Sequence, residues 1–188
     1  IGKRTFALKL AQALLCERVA EEQLDPCEEC PSCRQIAAGV HPDLHLLAKP
    51  ADKSFIPLKL LIGQDETRMQ EGLCYDISSK PYSGRRKVAI IDDADHLNKE
   101  GANCLLKTLE EPPEHVKFVL ATTDPQKIPV TVLSRCLQFN LKQLSPALIA
   151  NVLTPILAAE GVKFEEAALA LIARAAHGSA RDALSLLD

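Results

Sequence analysis

The sequence predicts an α/β domain with a parallel sheet, followed by a small helical domain. Val88–Ile91 is a short run that is apolar throughout, and Val116–Ala121 is a second apolar run, interrupted only by Lys117; such runs are typical of strands buried on both faces. Between them a helix is predicted to start at Asn98 and to end before Pro112. Because strands alternate with a helix, the strands should run parallel in one sheet.

The first part of the chain adds a helix and a strand to this domain. An apolar stripe from Thr5 to Cys16 predicts a helix, and Leu44–Leu47 predicts a short strand. Two prolines lie within residues 48–61, so we expect a loop there.

The segment before the first long apolar run predicts a helix and a turn. Met69, Leu73 and Ile77 recur every four residues, which predicts a helix from about Asp65 to Ser78. The residues Pro81–Lys87 end in three consecutive cations, and we expect them to form a turn that is exposed to solvent.

The pattern changes after Phe139, and we place the α/β domain at residues 1–142 and the helical domain at 143–188. Ser145 followed by Pro146 is typical of a helix start. Helices are predicted at residues 146–159, at residues 165–176 and from Ser179 onward, where Ser179 and Asp182 have the spacing of a capping box.

Composition limits the classes of function. The 188 residues are 47% hydrophobic, which is enough to form a buried core. Their net charge of −3 excludes a free-standing, strongly basic DNA binder. No run approaches the roughly 18 apolar residues of a membrane helix. The first residues read as the middle of a motif, and we expect the chain to be a fragment of a longer one.

Four of the seven cysteines lie in a polar insertion at residues 16–34. The spacing Cys16-x10-Cys27-x2-Cys30-x2-Cys33 is typical of a structural zinc site, since four thiolates leave no open position on the metal. A cluster of free thiols, or a redox Cys-x-x-Cys pair, is the alternative. This cysteine usage indicates a reducing compartment.

The residues Gly2-Lys3-Arg4-Thr5 precede an apolar helix and are similar to the tail of a Walker A phosphate loop. In that loop, backbone N–H groups at a helix N-terminus bind phosphates and the Lys contacts their oxygens. The Ser or Thr that follows the Lys and binds Mg²⁺ is replaced here by Arg4, which cannot ligate a metal.

Polar side chains follow both apolar runs. Asp92 and Asp93 come after the first run, and Thr122 and Thr123 come after the second. The carboxyl ends of parallel strands lie at one rim of a sheet, where ligands bind. We therefore expect Lys3, Asp92 and Thr123 to converge on one triphosphate pocket. The alternatives are a helix or turn cap for the two Asp residues and ordinary strand-end hydroxyls for the two Thr residues.

Several separate blocks give a specific resemblance that covers nearly the whole chain. These blocks are Asn103–Pro113, Ala121–Asp124 and Leu133–Cys136. They strongly resemble bacterial clamp-loader subunits of DNA polymerase III, which are AAA+ proteins. The resemblance implies a P-loop AAA+ sheet flanked by helices, a zinc module at residues 16–34 and a truncated helical lid. It also implies that the first strand and most of the phosphate loop are missing.

The resemblance further implies a role for each residue of an ATP site. Lys3 would contact the β- and γ-phosphates beside Gly2 and Thr5. Asp92 would serve Mg²⁺, while Asp93, one methylene shorter than the usual Glu, would weakly replace the catalytic acid. Thr123, or less readily Thr122, would be the first sensor.

Two arginines complete the roles that the resemblance implies. Arg181 would be a second sensor on the lid, and Arg135 an arginine finger for the neighbouring subunit's site. For Arg135 the alternative is a surface salt bridge, and for Arg181 an ordinary helix-surface residue. The implied cofactors are structural Zn²⁺ and ATP with Mg²⁺. The implied partners are the other subunits of a hetero-pentameric ring, the sliding clamp and primed DNA, all in the bacterial cytoplasm without a membrane.

Two subunit types share the resemblance. The chain up to about Glu111 is similar to the delta-prime subunit, and from His115 onward to the gamma/tau subunit, so we hypothesise a mosaic. Arg4 and Asp93 favour the delta-prime type with a weakened ATP site, and a gamma/tau-type ATPase is the alternative. A non-hydrolysing scaffold and a zinc-stabilised interaction domain without nucleotide binding are readings from another class.

Overall fold

The computed structural model describes residues 2–83 and 85–187. Gly84, in the middle of the expected turn, and the terminal residues Ile1 and Asp188 lie outside this description. The chain divides into two compact units, of which one is Lys3–Gln138 and the other starts at Phe139 and also takes in Gly2. Each unit is described by itself.

The described residues form three short strands and helices of different lengths. The strands are β1 (Leu44–Leu47), β2 (Lys87–Ile91) and β3 (Val116–Leu120). The helices of the first unit are α1 (Lys3–Leu15), α2 (Pro31–Ala37), α3 (Lys59–Ile62), α4 (Leu73–Ser78), α5 (Lys99–Glu110) and α6 (Val130–Leu133). Those of the second unit are α7 (Pro146–Ala159), α8 (Glu166–Ala175) and α9 (Ala180–Leu187).

The three strands form a parallel sheet in the order β1-β2-β3. His45 of β1 is paired with Ala89 of β2, and Ala89 in turn is paired with Phe118 of β3. Every residue of the central strand β2 is buried. The parallel sheet predicted from the apolar runs is therefore confirmed.

Helices cover both faces of the sheet because β2 is apolar on both sides. Val88 and Ile90 pack with the inner face of α1. Ala89 and Ile91, which point the other way, pack with Leu105 of α5 and with residues of α3 and α4. The predicted start of α5 is confirmed, since Asn98 Oδ1 accepts a hydrogen bond from the Gly101 N–H at 2.7 Å.

The direction of α1 decides where its N-terminus lies. Arg85 comes just before β2, and its Nη1 donates to the carbonyl of Cys16, just after α1, at 2.6 Å. The C-terminal end of α1 is therefore beside the start of β2, and the two elements run antiparallel. Thirteen helical residues span about 20 Å and five strand residues about 17 Å. Lys3 therefore lies towards the carboxyl end of β2.

The helix predicted from Asp65 is wrong in its first half, because α4 starts only at Leu73. Gly72 has a φ of +88°, and a Cβ there would lie 2.8 Å from the backbone nitrogen of Gly63. Met69 has a left-handed φ of 63° and is 59% exposed. The four-residue spacing thus included one residue that does not face the core.

Two smaller predictions are also wrong. The expected loop 48–61 contains the start of α3, whose Leu61 and Ile62 are buried. The cations of the expected turn are not all solvated, because Lys87 is buried in β2 and donates to the Asp76 carbonyl at 2.5 Å. Lys87 also donates to Ser79 Oγ at 2.6 Å.

The second unit is a small helical bundle around its own core. Ile149, Leu153 and Leu157 of α7 pack against apolar residues of α8 and α9. Two predicted helix starts are confirmed, since Ser145 Oγ accepts from the Leu148 N–H at 3.3 Å and Ser179 Oγ accepts from the Asp182 N–H at 3.1 Å. Within the described ranges, no helix has both the length and the apolar character needed to cross a bilayer.

Candidate functional site

The four cysteines of the insertion come together as one cluster. The sulfur atoms of Cys16, Cys27, Cys30 and Cys33 all lie within 4.8 Å of one another, and the Sγ atoms of Cys16 and Cys27 are 3.6 Å apart. Four sulfurs at about 2.3 Å from a tetrahedral Zn²⁺ would be about 3.8 Å apart. The donor set and its spacing therefore fit zinc.

Local backbone geometry holds the sulfurs in this cluster. Cys16 directly follows α1, while Cys30 is the N-cap of α2 and accepts from the Cys33 N–H at 3.4 Å. Cys27 Sγ accepts from the Cys30 N–H, also at 3.4 Å. A helix N-terminus and its N–H groups stabilise thiolates, so the loop favours the charged form that a metal needs.

The thiols differ in acidity. Burial acts to raise the pKa of Cys16, but hydrogen bonds from the backbone N–H groups of Cys27, Arg18 and Val19 outweigh it and bring this pKa to about 6. Burial raises the pKa of Cys33, and the neighbouring Cys30 raises it further. Zinc binding at neutral pH would therefore release protons from the cluster.

At the opposite end of the sheet, the chain leaves β2 through Asp92 and Asp93. The Asp92 N–H donates to the carbonyl of Leu47 at 2.7 Å, so this residue still belongs to the end of the sheet. Asp93 is left-handed, with φ 54°, and its side chain makes no cap bond to the short turn that follows. A helix-cap role therefore does not explain Asp93, while Asp92 Oδ1 accepts from the adjacent Asp93 N–H at 3.1 Å.

Asp95 is a site residue that the sequence analysis missed. Its Oδ1 accepts from Thr122 Oγ1 at 2.8 Å, and Thr123 Oγ1 lies 3.4 Å from its Oδ2. Burial acts to raise the pKa of Asp95, but the bond from Thr122 and backbone N–H bonds outweigh it and lower this pKa. Asp95 thus joins the segment after β2 to the segment after β3. The third carboxylate after Asp92 and Asp93 was the available signal.

The two threonines that follow β3 differ in how they contact Asp95. Thr122 Oγ1 donates to Asp95 and accepts from the Asp124 N–H at 3.0 Å, so the one O–H donor of its hydroxyl is already used. Thr123 is exposed and makes only long contacts to Asp95.

Lys3, Asp92 and Thr123 lie at the same end of the sheet. Lys3 is half-buried at the start of α1, whereas Thr5, two residues later, is exposed. Gly2 has a φ of +73° with open space around its Cα. The convergence of Lys3, Asp92 and Thr123 on one triphosphate pocket stays a prediction, as do the roles of these residues and of Gly2 and Thr5.

The two predicted arginines have different surroundings. Arg135 donates from Nη2 to Glu110 Oε1 at 2.8 Å and from Nη1 to the Thr131 carbonyl at 2.6 Å. This is the surface salt bridge that was the alternative reading, and its finger role stays a prediction. Arg181 is exposed in the first turn of α9, in the second unit.

Family comparisons match both parts of the chain. Residues 1–145 match a family described as "DNA polymerase III, delta subunit". Residues 148–188 match one described as "DNA polymerase III clamp loader subunit, ATPase lid domain".

Known relatives match over the entire chain. It is 45% identical over 190 residues to the DNA polymerase III subunit tau of Escherichia coli, covering 100% of this chain and 27% of that protein. It is 44% identical over 190 residues to subunit tau/gamma of Haemophilus influenzae, covering 100% of this chain and 25% of that one. The chain thus spans about a quarter of the length of these relatives.

A solved structure supports the fold. A RuvB mutant from Thermotoga maritima superposes with a TM-score of 0.57 at 20% identity, covering 80% of this chain and 46% of that chain. This likeness concerns the fold alone. With the family match over residues 1–145, the chain belongs to the DNA polymerase III, delta subunit, family and has the architecture of a clamp-loader AAA+ subunit.

Proposed function

We propose that the protein is a gamma/tau-type clamp-loader subunit that takes part in ATP-driven loading of the sliding clamp onto primed DNA. The observation that carries this proposal is the alignment of the whole chain with tau and tau/gamma subunits at 45% and 44% identity. The delta-subunit family match ends at residue 145 and the lid match begins at residue 148. The tau relatives align with both sides of this junction, which supports one gamma/tau-type chain over the mosaic hypothesis.

In this proposal the rim of the sheet binds the nucleotide. Lys3, with Gly2 and Thr5 beside it, binds the β- and γ-phosphates at the N-terminus of α1, where the helix dipole favours anions. Asp92 would hold Mg²⁺, which neutralises the charge that develops on the phosphate oxygens. Thr123 contacts the γ-phosphate, and the antiparallel arrangement of α1 and β2 supports placing these groups at one rim.

The segment joined by Asp95 gives the rim a fixed geometry. A carboxylate that bonds the Thr122 hydroxyl at 2.8 Å holds the end of β3 against the turn after β2. Thr123 is the next residue, so its position follows that of Asp95. We propose that Asp95 positions the sensor and does not itself touch the nucleotide.

Arg135 acts on the neighbouring subunit's ATP. A guanidinium that is brought to the γ-phosphate from outside stabilises the charge of phosphoryl transfer. In this chain the side chain is paired with Glu110 at 2.8 Å, so that salt bridge must be exchanged for the phosphate when the ring assembles. Arg181 on the lid is the proposed second sensor.

The cysteine cluster binds a structural Zn²⁺. Four buried or half-buried thiol groups within 4.8 Å support this assignment. The metal would supply cross-linking of the loop and no chemistry, because all four positions are taken by sulfur. The other subunits of a hetero-pentameric ring, the sliding clamp and primed DNA are the proposed partners, and the bacterial cytoplasm is the proposed location.

A second candidate is a delta-prime-type subunit that hydrolyses ATP weakly or not at all. Arg4 in place of the metal-binding hydroxyl and Asp93 in place of the longer acid favour it. Such a subunit would keep Arg135 to trigger its neighbour.

The experiment is a titration of the full-length protein with labelled ATP and Mg²⁺, followed by turnover measurements in the assembled ring. The gamma/tau proposal predicts binding with turnover that depends on assembly. Binding without turnover would transfer the function to the delta-prime candidate. If no ATP is bound, both fail and a zinc-stabilised interaction domain remains.

A further inference from the structure

We propose that Arg85, together with Gln12 and His41, positions the backbone of the zinc loop, residues 16–34, so that zinc affinity is determined by side chains outside this loop as well as by the four cysteines. This inference rests on the proposed zinc site. Arg85 is exposed, as expected for a solvated turn, and its Nη1 also donates to the carbonyl of the ligand residue Cys16 at 2.6 Å. The guanidinium thus fixes the peptide group that carries the first thiol.

Gln12 makes the corresponding contact at the last ligand. Its Nε2 donates to the carbonyl of Cys33 at 2.8 Å, and both residues are buried. Gln12 lies on α1, which packs on the sheet. A buried polar side chain on an otherwise apolar helix face is costly unless it is bonded, and here the partner is the backbone of a ligand residue.

His41 holds the segment between the third and fourth ligands. Its Nδ1 accepts from the Asp43 N–H at 3.1 Å, so in the neutral ring Nε2 carries the proton and donates to Ser32 Oγ at 2.6 Å. Burial lowers the pKa of His41, which favours this neutral form. Because Nε2 is a donor, His41 cannot act as a base towards Ser32, and the pair is structural.

His41 is itself anchored to the sheet. The buried Asp43 next to β1 accepts from the Tyr82 N–H at 2.6 Å and from the Ser83 N–H at 2.8 Å. Ser83 Oγ adds a third bond at 2.6 Å. The segment that leads to β2 therefore supports the His41 contact as well as carrying Arg85.

A neighbouring ion pair reinforces this connection. Arg86 donates from Nε and Nη2 to the two carboxylate oxygens of Glu21, both at 2.5 Å, and from Nη1 to the Glu114 carbonyl at 3.1 Å. Glu21 lies in the zinc loop, whereas Glu114 precedes β3. The loop is thus fixed at several points by groups outside residues 16–34, which reduces the ordering that zinc must impose.

The test is the affinity of the full-length protein for Zn²⁺, measured by competition with a chromophoric chelator. Loss of groups that orient metal ligands lowers metal affinity by about 10–100-fold, and we expect this for Arg85→Ala and for Gln12→Met. Arg34→Ala is the matched control, because Arg34 is exposed on α2 next to Cys33 and its loss removes the same charge. It should bind zinc like the wild type.

A second readout separates positioning from general destabilisation. The free energy of unfolding of the zinc-free Arg85→Ala protein should stay close to that of the zinc-free wild type, whereas the zinc-loaded variant should lose stability. If wild type binds zinc and Arg85→Ala binds it equally well, or if Arg34→Ala is weakened as much, the positioning role is wrong and the zinc site stands. If wild type itself binds no zinc, the zinc proposal fails.

Discussion

The two ends of the sheet in the unit Lys3–Gln138 carry different candidate sites, and the two sites differ in how complete they are within this chain. At the start of the strands, four cysteines lie within 4.8 Å of one another, and side chains outside residues 16–34 hold their loop. At the carboxyl ends, Lys3, Asp92 and Thr123 share a rim, but the first is half-buried, the last is exposed, and Arg135 is turned towards Glu110. At the cysteine end, this one chain supplies all four metal ligands. We infer that the nucleotide end is completed by ATP and by a neighbouring subunit.

Arg135→Ala should give the largest effect, because the comparison makes the nucleotide end dependent on assembly. Removing a trans-acting guanidinium lowers turnover by about 10³-fold or more in well-studied cases. We expect ATP turnover by the assembled ring to fall on that scale at the neighbouring site, while ATP binding by the variant subunit itself stays unchanged.

Glu110→Gln is the matched variant for this prediction. It breaks the ion pair of Arg135 but leaves the guanidinium in place, so turnover by the ring should be retained. Normal turnover with Arg135→Ala would remove the finger role and leave Arg135 as a surface salt-bridge residue.

Loss of zinc should give the next largest effect, a loss of folding stability that is confined to the cysteine end of the sheet. A ligand present at about 1,000 times its dissociation constant stabilises a fold by about 4 kcal/mol. We expect Cys30→Ser to lower the free energy of unfolding by about this amount in zinc-containing buffer, measured by denaturant titration. Cys104→Ser, outside the cluster, should have a much smaller effect. A Cys30→Ser protein that is as stable as wild type would contradict the structural zinc.

Asp95→Asn should give a smaller effect. It tests the contact that joins the segments after β2 and β3 at the nucleotide end of the sheet. The folded-state pKa of Asp95 lies below its usual value of 3.8. Its stabilising contribution is therefore present in full above that pH and is lost as the pH falls through the lowered pKa. We expect the variant to be less stable by about 1–3 kcal/mol at pH 7, with the difference shrinking in acid.

The measurement for Asp95 is the unfolding free energy of both proteins between pH 7 and pH 3. Asp52→Asn, at an exposed carboxylate, should show almost no difference from wild type across this range. A stability difference for Asp95→Asn that does not change with pH would mean that the carboxylate charge does not hold the two segments together.

The same comparison explains what could be predicted from the sequence. β2 and the cysteine loop are local patterns, since the apolar run is a continuous stretch and the four cysteines all lie between residues 16 and 33. The contacts of Arg85, Arg86 and Asp95 join segments that are 27 to 69 residues apart, and a charge pattern alone does not distinguish them from solvated residues. The helix predicted from Asp65 failed for a related reason, because the close approach of Gly72 to Gly63 is a tertiary contact.

The most direct test of the nucleotide site is ATP binding by the full-length protein with Mg²⁺, in wild type and in Lys3→Ala. Losing a hydrogen bond to a charged group costs about 1.5–3 kcal/mol, so the account predicts that wild type binds ATP and that Lys3→Ala binds it about 10–100-fold more weakly. Lys59→Ala, which removes an exposed lysine of α3, should bind like wild type. Equal affinity of wild type and Lys3→Ala, or no binding by wild type, would contradict a phosphate site at this rim of the sheet.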